Sequence, residues 1–193
     1  LPEDEVKIDV AYSTINYKDG LAVTGKGKIA RSYPMVAGID LSGTVTESTS
    51  ADFKLGDKVV ACGGWMSETI WGGYAEKASL PADIVVPLPE AFSLKQAMAI
   101  GTAGFTAMLS VMALEHAGVG PDSGEVIVTG AGGGVGSVSI TLLAGLGYQV
   151  TASTGREALH DYLSDLGAST IIARAELDND ASKPLESERW AGG

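Results

Sequence analysis

The sequence predicts an α/β chain built in two parts, and three observations carry that prediction. Apolar and polar residues alternate with period two in several short stretches before residue 95. Thirty residues, Val126 to Gly155, hold no charged side chain. Beyond Val126, strand-like and helix-like periods alternate as β-α-β-α-β, the pattern of a parallel sheet flanked by helices.

The elements follow in order. In "EVKIDVAYS", Val6, Ile8, Val10 and Tyr12 alternate with Lys7, Asp9 and Ala11, which predicts a half-buried strand. Further strands are expected in "GIDLSGTVTE", "GDKVVACGG", "GGYAEKASLP" and "DIVVPLP", with turn residues between them. Residues 1–95 thus read as a β-rich domain and residues 96–193 as a second domain. "LKQAMAIGTAGFTAMLSVMALEHAGV" predicts two helical stretches joined around Gly101–Gly104. Val126, Ile127 and Val128 make the next strand. Val138, Leu142 and Leu146 predict one apolar helix face, stopped by Gly147. "YQVTAST" gives a second strand. Leu159, Tyr162, Leu163 and Leu166 predict an amphipathic helix that Gly167 ends, and "STIIA" is the third strand. "DNDASK", residues 178–183, reads as a polar loop. A doubly wound sheet for a dinucleotide uses two such halves, about six strands. Only the first half is read here, so the sequence is expected to be part of a longer chain.

Composition narrows the function. The net charge is −11 and 45% of residues are hydrophobic, so a packed core is expected while nucleic acid and anionic membrane surfaces are poor partners. The uncharged stretches Gln96–Leu114 and Val126–Gly155 are cut by glycines and hydroxyls, which favours buried strands and helices over membrane spans. One cysteine, Cys62, and two histidines, His116 and His160, show no metal-ligand spacing, so no metal site is expected. Nothing points to an oxidising compartment, and a cytoplasmic location is expected.

"TGAGGGVGS", residues 129–137, lies between a buried strand and an apolar helix. Glycines there permit a tight turn and close approach of a pyrophosphate, which the first free N–H groups of the helix then face. The spacing is Gly130-x-x-Gly133-x-x-Gly136, and Ser137-Val138 follows where a P-loop would carry Lys-Ser/Thr. The alternative is a tight strand–helix turn without a ligand. About twenty residues on, where a carboxylate would select NAD, the chain has Thr154-Gly155-Arg156. Arginine suits the 2′-phosphate of NADP, and Arg174 after the third strand could join it.

These residues, with "INYKDGLAVTGKGKIARSYPMVAGIDLSGTV" (15–45), "WGGYAE" (71–76), "IGTAGFTAMLSVMALEHAGV" (100–119), "VTGAGGGVGSVSI" (128–140) and "LGAST" (166–170), resemble the zinc-free, quinone-oxidoreductase-like branch of the medium-chain dehydrogenase/reductase superfamily. The resemblance implies a GroES-like β-rich domain followed by a Rossmann-type cofactor domain, with the active site between them. It implies NADPH as cofactor, a homodimer at full length, and an acyl-CoA or enone as small-molecule substrate. Gly133, Gly134, Val135, Gly136 and Ser137 would line the pyrophosphate. Thr154, Gly155, Arg156 and Arg174 would hold the 2′-phosphate, and Tyr17 would lie at the nicotinamide, or else pack beneath a strand end. Thr102, in a glycine-flanked turn, could reach the nicotinamide or serve only as a helix cap.

The implied reaction moves a hydride from NADPH to the β-carbon of an acrylyl thioester, with charge developing on the thioester oxygen. Tyr17 is the leading catalytic candidate, with Asn16 and Asp19 in the same motif and Lys18 as support; Asp19 could instead only cap a turn. Lys26, Lys28 and Arg31 lie within six residues without an acid between them and are expected to attract CoA phosphates, or else to form a solvated basic loop. Reduction of quinones or enones, and a non-catalytic binding role, are the rival functions. Weak or absent turnover is expected of residues 1–193 alone.

Overall fold

A computed structural model describes residues 1–177 and 187–193, so the polar stretch at 178–183 lies outside the described residues. The chain divides into two compact units, Leu1–Thr102 and Ala103–Gly193.

The first unit is built on a five-stranded antiparallel sheet. Strand β1 (Glu5–Tyr12) lies between β2 (Asp40–Ser48) and β4 (Lys77–Pro81), and β3 (Lys58–Cys62) and β5 (Val86–Pro87) extend it in the order β4-β1-β2-β3-β5. The period-two pattern puts Val6, Ile8, Leu41, Val45, Val59 and Leu80 into one core, each fully buried. Burying each contributes about 1.5–3 kcal/mol. On the opposite face Lys77 pairs with Asp9 at 2.6 Å and Lys7 with Glu47 at 3.6 Å. The expected alternation weakens at Val10, and Tyr12 is exposed, because the register between β1 and β2 shifts between those two residues. A shift of that kind re-aims the side chains beyond it.

Three local readings need correction. The strand expected across Gly72–Pro81 begins only at Lys77. Gly72, Gly73 and Tyr74 instead donate backbone hydrogen bonds to Val36, Gly38 and Ala37, an approach that leaves no room for side chains on the two glycines. "DIVVPLP" yields two residues of strand, since its prolines cannot donate to a ladder. Finally, α1 (Tyr17–Thr24) starts inside the NYKD motif, where no helix was expected. Eight residues are too few to show a helical period, and the chain turns out of it at Gly25, with φ 66°.

Helix α2 (Leu94–His116) begins in the first unit and continues in the second. It is broken at Gly101, where φ is 49° and ψ −160°, within the expected joint. Among the described residues it is the one helix long and apolar enough to cross a membrane. The break leaves an unbroken piece from Thr102 to His116, about 22 Å long against about 30 Å of hydrocarbon.

In the second unit, β6 (Val126–Val128), β7 (Val150–Thr154) and β8 (Thr170–Ala173) form a parallel sheet in that order. The other edge of β6 is bridged in parallel by Gly192, whose carbonyl accepts from Ile127 N–H at 2.9 Å. Helices α3 (Gly134–Gly145) and α4 (His160–Asp165) connect the strands. Val126, Ile140, Leu143, Val150, Ala152 and Leu163 are buried in their common core.

The buried face of α3 is not the expected one. Gly136, Ser139, Ile140 and Leu143 face inward, whereas Val138 and Leu142 are half-buried and Leu146 is exposed. Almost every position of α3 is apolar, so periodicity could not choose a face; the bare backbone at Gly136 does. A methyl there would lie 2.6 Å from the Gly130 carbonyl oxygen and 2.8 Å from Ala131 Cα. In α4, Leu163 is buried as expected, but Tyr162 is exposed because the helix is only six residues long and its first turn is 3-10. Gly136→Ala should therefore destabilise the chain by about 1–3 kcal/mol, since the neighbours are backbone atoms that cannot rotate away; urea unfolding measures the loss.

Candidate functional site

The loop between β6 and α3 frames a cavity in the second unit. It holds about 570 Å³ and is lined by Thr129, Gly130, Gly132 and Gly133 on one element and by Ser153, Thr154, Gly155 and Arg156 on the next, with Arg174 and Leu177. The parallel β6-β7-β8 order explains the meeting, because the ends of successive strands open on the same edge of the sheet. Arg156 and Arg174 are exposed, and neither enters an ion pair among the described residues. Arg156 Nη2 reaches back to the Gly132 carbonyl at 3.3 Å, which holds the guanidinium over the loop. Thr154 is buried; its hydroxyl accepts from Arg156 N–H at 3.2 Å and keeps its own hydrogen to donate.

Helix α3 starts from Gly133, and Ser137 is the first residue whose N–H closes a helical bond, to Gly133. The N–H groups of Gly134, Val135 and Gly136 have no partner within the helix. An anion placed there meets three donors and the positive end of the helix dipole. Gly133, Gly134, Val135 and Gly136 also border a second cavity of about 370 Å³ that continues to Val111 and Leu114. Ser137 borders neither cavity; its hydroxyl donates to Gly134 O at 3.2 Å.

The first unit holds the other candidates. Side chains alternate along the Thr14–Tyr17 turn: Thr14 and Asn16 point inward, whereas Ile15 is 90% and Tyr17 85% exposed. Tyr17 therefore does not pack under a strand end. Asp19 is buried, with Oδ2 accepting from Asn16 N–H at 2.9 Å and Oδ1 from Ile39 N–H at 3.0 Å. Both its oxygens serve the backbone, as in the capping alternative. The Asn16 amide donates to Thr14 Oγ1 and Asp40 Oδ2, at 3.0 and 3.1 Å. Thr102 follows the helix break, and its N–H donates to Asp40 Oδ2 at 3.1 Å.

Of the basic trio, Arg31 is engaged by its own unit. It pairs with Glu68 at 3.7 Å, lies 5.5 Å from the Trp65 ring centre, and shares Glu68 with Lys18. Lys26 and Lys28 are exposed and enter no ion pair among the described residues.

Residues 2–90 match the alcohol dehydrogenase GroES-like domain family. Over 192 residues the chain is 56% identical to acrylyl-CoA reductase AcuI of Ruegeria pomeroyi and 50% identical to the putative quinone oxidoreductase YhfP of Bacillus subtilis. Along its whole length the chain is homologous to the quinone-oxidoreductase-like medium-chain dehydrogenase/reductase family. It spans 58% of each of those two relatives, and they span all of it. Two solved structures of family members superpose on 98% of this chain and 58% of their own. They are the yhdH oxidoreductase of Salmonella enterica in complex with NADP, at TM-score 0.94 and 53% identity, and B. subtilis yhfP with NAD bound, at 0.92 and 49%.

Sequence reasoning missed Asp40 and Tyr74. Asp40 is fully buried, and its carboxylate gathers donors from Thr14, Asn16 and Thr102. Its signal was an acid at an apolar-flanked strand position, where an unpartnered carboxylate would be costly. Tyr74 donates to Thr14 O at 2.9 Å; burial and then the charge of Asp19 push its phenol up to about 12.

Cys62 lies opposite Asp40 in the β2–β3 ladder. Burial pushes its thiol from 9.0 up to about 11, with the Asp40 charge adding to the rise and a hydrogen bond with Thr102 opposing it. A raised thiol pKa means that the unfolded chain releases this proton first. The contribution of Cys62 to stability is thus complete below pH 9 and is lost as pH rises towards 11. At pH 8.5, iodoacetamide should label Cys62 in the folded chain on the order of a hundredfold more slowly than in the denatured chain, as two pKa units dictate; equal rates would contradict the burial.

Proposed function

We propose that the chain carries the adenosine-phosphate half of an NADPH site and belongs to an enzyme that reduces the carbon–carbon double bond of acrylyl-CoA to propanoyl-CoA. The observation that carries the reading is the convergence of Arg156, Arg174 and Thr154 on one cavity with a glycine loop, two cations without carboxylate partners among the described residues. These residues fit the group. The donors of Gly134, Val135 and Gly136 suit a pyrophosphate, the close approach at Gly136 seats the helix, and the two guanidiniums suit a phosphate on the ribose 2′-oxygen. The NADP complex of the Salmonella relative and the name of the Ruegeria relative support cofactor and substrate respectively.

When bound, NADPH supplies the hydride that reaches the β-carbon, and a solvent-derived proton completes the α-carbon. The chain's own part is to bind and orient. We assign Tyr17, exposed and without a hydrogen-bond partner among the described residues, to the nicotinamide end, where its hydroxyl would donate to the thioester oxygen as negative charge develops there. Thr102 would contact the nicotinamide. Lys26 and Lys28 are the cations for CoA phosphates; Arg31, held by Glu68, supports the loop.

Reduction of a quinone or simple enone is the second reading, favoured by the name of the Bacillus relative, whose solved structure holds NAD. NADPH consumption with acrylyl-CoA against a simple quinone separates the two. Binding tests the site directly. Arg156→Asp should weaken 2′,5′-ADP by about ten- to a hundredfold, the loss of one charged contact of about 1.5–3 kcal/mol, while ADP binds as before. An unchanged ratio removes Arg156 from the site. In the full-length enzyme, Lys26→Ala with Lys28→Ala should raise KM for acrylyl-CoA several-fold and flatten its salt dependence, with a CoA-free enone unaffected; equal losses with both substrates would remove the two lysines from CoA binding.

A further inference from the structure

We propose that Asp40 is the positioning residue of the nicotinamide end, a single buried carboxylate that clamps the Thr14–Tyr17 turn and the Gly101–Thr102 helix break into one geometry. The inference rests on the reading of Tyr17 and Thr102 given above and assigns the device that holds them.

The two segments are far apart in sequence, yet each spends backbone donors on the same side chain. Asp40 Oδ1 accepts from Thr14 N–H at 3.1 Å and from Thr14 Oγ1 at 2.8 Å. Oδ2 accepts from Asn16 Nδ2 and from Thr102 N–H, both at 3.1 Å. The Asp40 backbone carbonyl takes Ser13 Oγ at 2.7 Å. On the other side, the helix break brings Gly101 so close that a methyl there would sit 3.0 Å from Oδ2, and the φ of 49° excludes most side chains as well. Tyr74 closes the turn from outside through Thr14 O.

The consequence is a rigid backing for an exposed residue. With Thr14 and Asn16 drawn inward, extended alternation turns Ile15 and Tyr17 outward. Asp40 touches no reacting atom, so it acts through the placement of Tyr17 and Thr102. Replacing one carboxylate oxygen by an amide turns an acceptor into a donor facing other donors, so Asp40→Asn keeps the volume and breaks the clamp.

The experiment compares the full-length wild-type enzyme that contains this chain with its Asp40→Asn, Thr14→Val and Thr14→Ser variants. In Asp40→Asn, kcat for NADPH oxidation should fall about tenfold or more, while KM for NADPH and the Kd of 2′,5′-ADP stay within about twofold. Amide exchange at Thr14 and Thr102 should accelerate together, with Ile8 and Val45 in the sheet unchanged. Thr14→Val should reproduce the effect in part, and Thr14→Ser, which keeps the hydroxyl, should restore it. Should Asp40→Asn not fold, the Thr14 pair carries the same comparison. Proportional shifts in KM, Kd and kcat would reduce Asp40 to a general stability role and overturn the proposal, as would faster exchange in only one of the two segments. A full-length enzyme that oxidises no NADPH defeats the activity reading, and the paired exchange at Thr14 and Thr102 then decides the clamp by itself.

Discussion

A carboxylate withdrawn from water is costly by several kcal/mol unless hydrogen bonds replace its hydration. Asp40 meets that condition with donors from three residues in two separate segments of the first unit, and the local geometry follows from it. The turn before α1 enters with Thr14 and Asn16 inward because their donors are needed there. Helix α2 breaks at Gly101, where Thr102 N–H is turned towards Oδ2, a side chain would crowd that oxygen at 3.0 Å, and the φ of 49° favours glycine. The Cys62 thiol, across the ladder, stays protonated partly because this charge lies next to it. One acid thus sets the shape of a turn, a helix start and a strand neighbour.

The second unit solves a different problem with the opposite material. Its cavity is bordered largely by backbone, and the recognition elements are unpaired N–H groups and two guanidiniums at the rim. Close approach rather than burial of charge is the constraint, and Gly136 supplies it by letting α3 rest on the Gly130 carbonyl. In a chain whose net charge is −11, two cations without carboxylate partners among the described residues, at one strand edge, are the local exception that an anionic ligand requires.

Much of this was legible from residue order. The β-rich first part, the three parallel strands, the break near Gly101 and the grouping of Arg156 and Arg174 with the glycine loop all follow from periodicity and spacing. What was not legible has physical causes. The face of α3 was misread because its sequence is apolar nearly all round, and the choice depends on where backbone can touch backbone. The short helix after Asn16 leaves no period to detect. The role of Asp40 depends on partners 26 and 62 residues away, a relation that only tertiary structure creates. Arg31 was grouped with Lys26 and Lys28 by proximity in sequence, whereas Glu68 and Trp65 claim it in space.

The bridge between Val126 and Gly192 has a kinetic meaning. Strands β6 and β7 pair residues 24 apart, Val126 with Val150, and β7 and β8 pair residues 19 apart, Thr151 with Thr170, whereas Val126 and Gly192 are separated by 66. Loop-closure entropy makes that last contact about 0.9 kcal/mol more costly than the first. On loop-closure entropy alone β6, β7 and β8 therefore pair before Gly192 arrives. During that interval a newly made chain presents the Ile127 N–H on a bare parallel edge, the kind of edge at which strands of different chains join, and the late arrival of Gly192 is what closes it.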